Sequence, residues 1–152
     1  MIWCAELKDN LKEIKEETLT QCIEAVEPWE MVFGKVAEGP SILKRDGLYY
    51  LLYSANDFRS QDYAVGYATS DSPFGPWKKN SKNPLLHRVD ELVGTGHGAP
   101  FADKDGNLRY IFHAHKSQTE VNQRNSYIVD MSLSGKDQVS IGGGLIRPAV
   151  VK

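Results

Sequence analysis

The sequence predicts an all-β fold, a partial β-propeller of about two four-stranded antiparallel blades plus an outer strand of a third. Three observations lead there. Aromatic and β-branched runs alternate with turn residues along most of the 152 residues. A shift of 59 residues, which carries Glu38 to His97 and Asp46 to Asp105, lays one segment over another. Each repeated segment contains the parts of one antiparallel blade, and propellers have at least about four blades. The chain therefore reads as part of a ring.

MIWCAEL, at the start, resembles the later part of a unit, and residues 8–35 lead into the first full one. Within 7–26 the positions Leu7, Leu11 and Ile14 fit helical spacing, while alternating strand and loop fit nearly as well. The first full unit opens at Glu38-Gly39-Pro40 and turns at the hairpin dipeptide Asp46-Gly47. It continues through LYYLLYS (48–54) and YAVGYATS (63–70) and closes at Ser72-Pro73 and Gly75-Pro76. The second opens at His97-Gly98, turns at Asp105-Gly106, and runs through LRYIFHAH (108–115) and NSYIVDMSL (125–133). Under the shift, Leu52, Tyr53 and Ala55 lie over Ile111, Phe112 and Ala114. The domain reading is a single partial propeller over 1–152. In it 1–35 ends a preceding blade and links onward, 36–94 is one blade and 95–152 is the last.

Composition excludes some partners. A formal net charge of −2 gives no electrostatic case for nucleic acid or an anionic membrane, and no apolar run approaches a membrane span. The opening MIWCAELKDN lacks a basic n-region and a long apolar h-region, so no signal peptide is expected in it; localisation stays unassigned. Cys4 and Cys22 match no zinc spacing and read as ordinary thiols.

Glu38 does not fit its surroundings: a carboxylate opens an apolar hairpin, beside a Gly-Pro that fixes the backbone. In a propeller the innermost strands of successive blades start at one end of the central channel. The repeat therefore places Glu38 and His97 facing one another there. A carboxyl on the floor of a low-dielectric pocket is suited to general acid catalysis. Periodicity alone leaves that role and a plain ion pair with a lysine or arginine equally open.

The stretches AEGPSILKRDGLYYLLYSAN, YAVGYATSDSPFGPW and GTGHGAPFADKDGNLRYIFHAH resemble the second half of glycoside hydrolase family 43, over about residues 2–151. Those enzymes are five-bladed propellers that cut xylans and arabinans. The resemblance implies inverting hydrolysis of β-xylosides or α-L-arabinofuranosides in plant oligo- and polysaccharides. It implies that Glu38 is the general acid, and that His97 is a substrate-side histidine where some members hold calcium or a water network. No cofactor is otherwise required. Arg124, in VNQRNSYI, resembles an arginine that contacts sugar and acid, although the family's usual preceding proline is Gln123 here.

The family's base, an aspartate of the first blade, and a second aspartate that tunes the acid both belong to parts outside this sequence. Inverting enzymes need two carboxyls about 6.5 to 9.5 Å apart. The chain is thus expected to carry the acid, lack the base and be inactive alone, awaiting an N-terminal half or a second copy. The alternative is a non-catalytic carbohydrate-binding or scaffold piece.

Other candidates carry less. His113 and His115 share a strand face and are expected to pack rather than bind metal. Trp29 and Phe33 suit a sugar platform or ordinary packing. Asp57, Arg59 and Asp62, in the loop ANDFRSQDY placed on the side opposite the family's usual strand entry, receive no role. Asp103 and Asp105 read as a solvated turn.

Overall fold

The computed structural model describes residues 1–146; the tail of the predicted last blade, 147–152, lies outside them. Among the described residues, ten strands form three antiparallel sheets. β1 (Ile2–Cys4) pairs with β2 (Thr20–Ile23). The middle sheet has β3 (Ala37–Arg45), β4 (Leu48–Ala55), β5 (Ala64–Ser70) and β6 (Lys78–Lys79), in that order. The last sheet repeats the order with β7 (Gly96–Ala102), β8 (Leu108–Ala114), β9 (Asn125–Leu133) and β10 (Val139–Ile146). These are the two blades of the partial propeller. The outer strand expected of a third blade is β1, and β2 is its partner, drawn from the stretch where helical and strand spacing competed. That stretch holds only a 3-10 turn at Glu16–Thr18 and β2. Cys4 and Cys22 are free thiols on this pair.

Alternation along β4 makes the middle sheet a two-sided core element. Tyr50 and Leu52 pack with Val65 and Tyr67 against Tyr110, Phe112, Val129 and Met131 of the last sheet. Leu51, Tyr53 and Ala55 face the other way, toward Ile2, Ile23 and Ala37. Every residue of β5 is buried, as a strand covered on both faces requires. The last sheet is covered on one face only, and Ile111 and Phe101 are open to solvent on the other.

The two hairpin turns differ. Asp46 and Gly47 both take positive φ (50° and 79°), as a two-residue turn with both residues left-handed demands. At the second turn only Gly106 does (φ 82°), and Asp103 N donates to Asn107 O across an intervening three residues. Asp103 also accepts from the backbone of Asp105 and Asn107, so it organises this turn rather than merely being solvated in it. The extra turn residue changes the register. In the ladders Glu38 pairs with Ser54 and Gly96 with His113, so Glu38 is level with Gly96 and His97 with Gly39. The 59-residue overlay is thus one residue out along the inner strands.

The segment before β3 is pinned by two buried polar side chains. Glu30, in the turn Pro28–Glu30, has no exposed surface and accepts from Val26 N, Glu27 N, Tyr53 Oη and Lys79 Nζ, at 2.6–2.8 Å. Asn56, equally buried, donates to Trp29 O and Asp62 O and accepts from Val32 N. Burial alone would raise the Glu30 carboxyl, but Lys79, Tyr53 and the two amides outweigh it and hold it below its ordinary 4.5. Its stabilisation is therefore whole above that value and is lost as pH falls beneath it. Glu30→Ala strands Lys79, which is 13% exposed, without its partner. Urea unfolding of Glu30→Ala should show a loss of about 3–5 kcal/mol, and Glu30→Gln should flatten the acid-side fall in stability.

Candidate active site

The site forms where the inner strands of the two blades begin. Both strands break register there. Gly39-Pro40 together oppose Tyr53, and His97-Gly98 together oppose Phe112. Two residues facing one is a β-bulge, a device that re-aims side chains. Gly39 takes φ 58° and His97 φ 49°. A Cβ on Gly39 would lie 3.1 Å from the His97 ring, so glycine lets the histidine approach. His97 N donates across the junction to Ser54 Oγ (2.8 Å). The result brings His97 Nδ1 to 3.9 Å from Glu38 Oε1.

Tyr63, just before β5, links the two. Its hydroxyl donates to Glu38 Oε1 at 2.7 Å and lies 3.3 Å from His97 Nδ1. The residue is wholly buried, and its ring stacks on His113 at 5.6 Å and 13°. Room for the ring depends on Gly96, where a Cβ would fall 2.3 Å from it. Burial, then the hydrogen bond and charge of Glu38, push the Tyr63 phenol far above its ordinary range. It is a firm donor at any pH the protein sees.

Arg124 stands behind this group. Its Nη1 donates to His113 Nε2 (3.1 Å), which leaves the ring proton on Nδ1, and its guanidinium lies 4.7 Å from the Phe58 ring centre. Burial first, then the charges of Arg124, His97 and His115, push His113 down to about 4. His113 is therefore a neutral link between Arg124 and Tyr63, more than the packing residue expected. His115 turns away and bonds Phe58 O at 2.8 Å.

An open cleft of about 520 Å³ runs along the junction, lined by Gly39, Pro40, Ser41, His97, Ile111 and His113 among others. The Glu38 side chain is 38% exposed, so this chain does not itself build the enclosed floor that its sequence suggested. Calcium at His97 fits poorly. The ion wants about six to eight oxygens, His97 Nδ1 faces the Tyr63 hydroxyl, and the described residues hold no group of three or more His, Cys, Asp or Glu placed for a metal.

The loop with Asp57, Arg59 and Asp62 corrects the expectation. Ala37 pairs with Ala55, so the β4–β5 connection emerges at the same end as Glu38, not the opposite side. Its groups are engaged with one another and with neighbours: Asp57 with Arg59 at 2.7 Å and Asp62 with His87 at 3.2 Å. Arg59 lies against Phe33, which is 62% exposed on this rim. Trp29 instead packs on Tyr53 and over Gly66. Tyr63 is the residue that sequence reasoning missed. Its signal was positional, since it opens a strand at the end where β3 begins.

The family model for glycosyl hydrolases family 43 matches residues 1–136. The chain belongs to that family. An endo-1,4-beta-xylanase structure from Bacteroides thetaiotaomicron is 56% identical, with a TM-score of 0.94 over 99% of this chain and 52% of that one. A thermostable family-43 glycoside hydrolase is 30% identical, with a TM-score of 0.85 over 97% and 49%. An extracellular exo-alpha-(1->5)-L-arabinofuranosidase of Streptomyces chartreusis is 35% identical over 94 residues, 57% of this chain and 28% of that protein. The family-43 chain thus spans about half the length of these two structures and less of the curated relative.

Because the folded His113 titrates near 4 against an ordinary 6.5, the unfolded chain binds the extra proton between those values. This contribution is whole above 6.5 and is lost as pH falls toward 4. Imidazole proton NMR should find one histidine of the four titrating near 4, and Arg124→Ala should move it upward.

Proposed function

We propose that this chain is the acid-bearing half of a family-43 glycosidase that hydrolyses β-xylosides or α-L-arabinofuranosides of plant polysaccharides with inversion. Glu38 is the general acid and protonates the leaving glycosidic oxygen. The observation that carries this reading is a carboxyl held by a buried phenol at the start of an inner strand, beside an open cleft. A scaffold piece requires no carboxyl there. His97 and Arg124 are the substrate-side groups. His97 is 55% exposed at the cleft, and Arg124 offers a guanidinium at the far end of the Tyr63–His113 stack. The names of the relatives, a xylanase and an arabinofuranosidase, support pentose substrates.

The second carboxyl is the base that activates water, and it comes from blades outside this chain. Asp57 and Asp62, in the loop at Glu38's end, are engaged by Arg59 and His87. The open face of the last sheet, with Phe101 and Ile111, and Trp3 at the other end of the arc are the surfaces that further blades or a second copy would cover.

The test joins this chain to the N-terminal half of the Bacteroides relative and assays aryl xylosides and aryl arabinofuranosides. Glu38→Ala should lower turnover by about 10²–10⁴-fold on poor leaving groups and much less on good ones. Turnover unchanged by that substitution would refute the assignment.

A further inference from the structure

We propose that Tyr63 is the positioning residue of the acid: its hydroxyl holds Oε1 of Glu38, so that the transferable proton resides on Oε2. The proposal rests on the reading of Glu38 as general acid. A carboxylic acid has two chemically equal oxygens, and a side chain free to rotate presents the proton in many directions. One fixed donor removes that freedom. The Tyr63 Oη–Oε1 distance of 2.7 Å is that of a well-formed hydroxyl–carboxyl hydrogen bond, and Tyr63 is held in place. Its ring is fully buried, stacked by His113 on one side and accommodated by the missing side chain of Gly96 on another.

The hydroxyl has one proton to give. The charged and titratable groups facing it are Glu38 from β3, His97 from β7, His113 from β8 and Arg124 from the segment before β9. Glu38 is the near acceptor, and His97 Nδ1, at 3.3 Å, can in turn donate to the phenolic oxygen. With Oε1 accepting, a proton on the neutral acid occupies Oε2. Among the described residues no side chain or backbone group bonds Oε2. In the transfer, the bond from the anomeric carbon to the leaving oxygen breaks as water's oxygen bonds that carbon, and the Oε2–H bond breaks as an O–H bond forms on the leaving oxygen. The electron pair of the Oε2–H bond stays on the carboxylate, where Tyr63 meets the new charge at Oε1. The attacking water loses its proton to the base, outside this chain. The phenol thus donates throughout, more weakly to the neutral acid and more strongly to its conjugate base, which favours the charged product of the step.

The test is proton NMR of hydroxyl resonances in the full chain, with Tyr63 assigned by its contacts to His97 and His113 and by its loss in Tyr63→Phe. Tyr53, which donates to buried Glu30 at 2.6 Å, is the internal control. At neutral pH the Tyr63 hydroxyl is expected far downfield, and Glu38→Ala should move it upfield without moving that of Tyr53. As Glu38 is protonated by acid, the signal should move upfield yet persist, because Tyr63 still donates to Oε1. A Tyr63 signal indifferent to Glu38→Ala, or one that vanishes when Glu38 is protonated, would overturn the proposal. The glycosidase reading fails separately, through turnover indifferent to Glu38→Ala, and that result would leave the hydroxyl signal where it is.

Discussion

The packing of Tyr50 and Leu52 against Tyr110 and Phe112 fixes the angle between the two blades, and the site is a consequence of that angle. Glu38 and His97 belong to different sheets with no ladder between them. They meet only because the two hydrophobic faces lock the sheets side by side. The bulges at Gly39-Pro40 and His97-Gly98 then turn two strand starts toward the shared junction. Burying each such aromatic or aliphatic side chain is worth about 1.5–3 kcal/mol, and the cluster sums over many of them. Geometry at the site is set by the core, and the polar groups select within it.

The same polar device appears twice, and its two copies differ in how completely the carboxylate is satisfied. Tyr53 donates to Glu30 inside the middle sheet, where Lys79 and two amides complete the carboxylate's coordination. Tyr63 donates to Oε1 of Glu38 at the sheet's end, and among the described residues no group bonds the other oxygen. A carboxylate with all its partners is a clip. A carboxylate with one oxygen held and one free is placed to exchange a proton.

Much of the fold was legible in the sequence because strand signals are local. LRYIFHAH and NSYIVDMSL mark β8 and β9, and Asp46-Gly47 marks a turn whose two residues must both be left-handed. The inner-strand register was less so, since one extra residue between Asp103 and Asn107 slides β7 by one position without altering composition. Glu38 stood out as a charge in an apolar hairpin. Tyr63 did not, because a buried tyrosine looks in sequence like every other aromatic strand residue. The buried state of Glu30 and the side on which the Asp57 loop emerges were likewise hidden. Both depend on pairings between residues tens of positions apart, such as Ala37 with Ala55.

Ile111 and Trp3 are open at the two ends of the arc, Glu38 meets Tyr63 and His97 among the described residues, and the proposal places its opposing carboxyl in blades outside this chain. That division, acid in this chain and base outside it, is the central claim. The most direct measurement is light scattering behind a sizing column, with aryl-xyloside and aryl-arabinofuranoside assays on each peak. The predicted result is a peak of any size without Glu38-dependent turnover. Turnover that Glu38→Ala abolishes, in a peak containing this chain alone, would mean that its own residues supply the base.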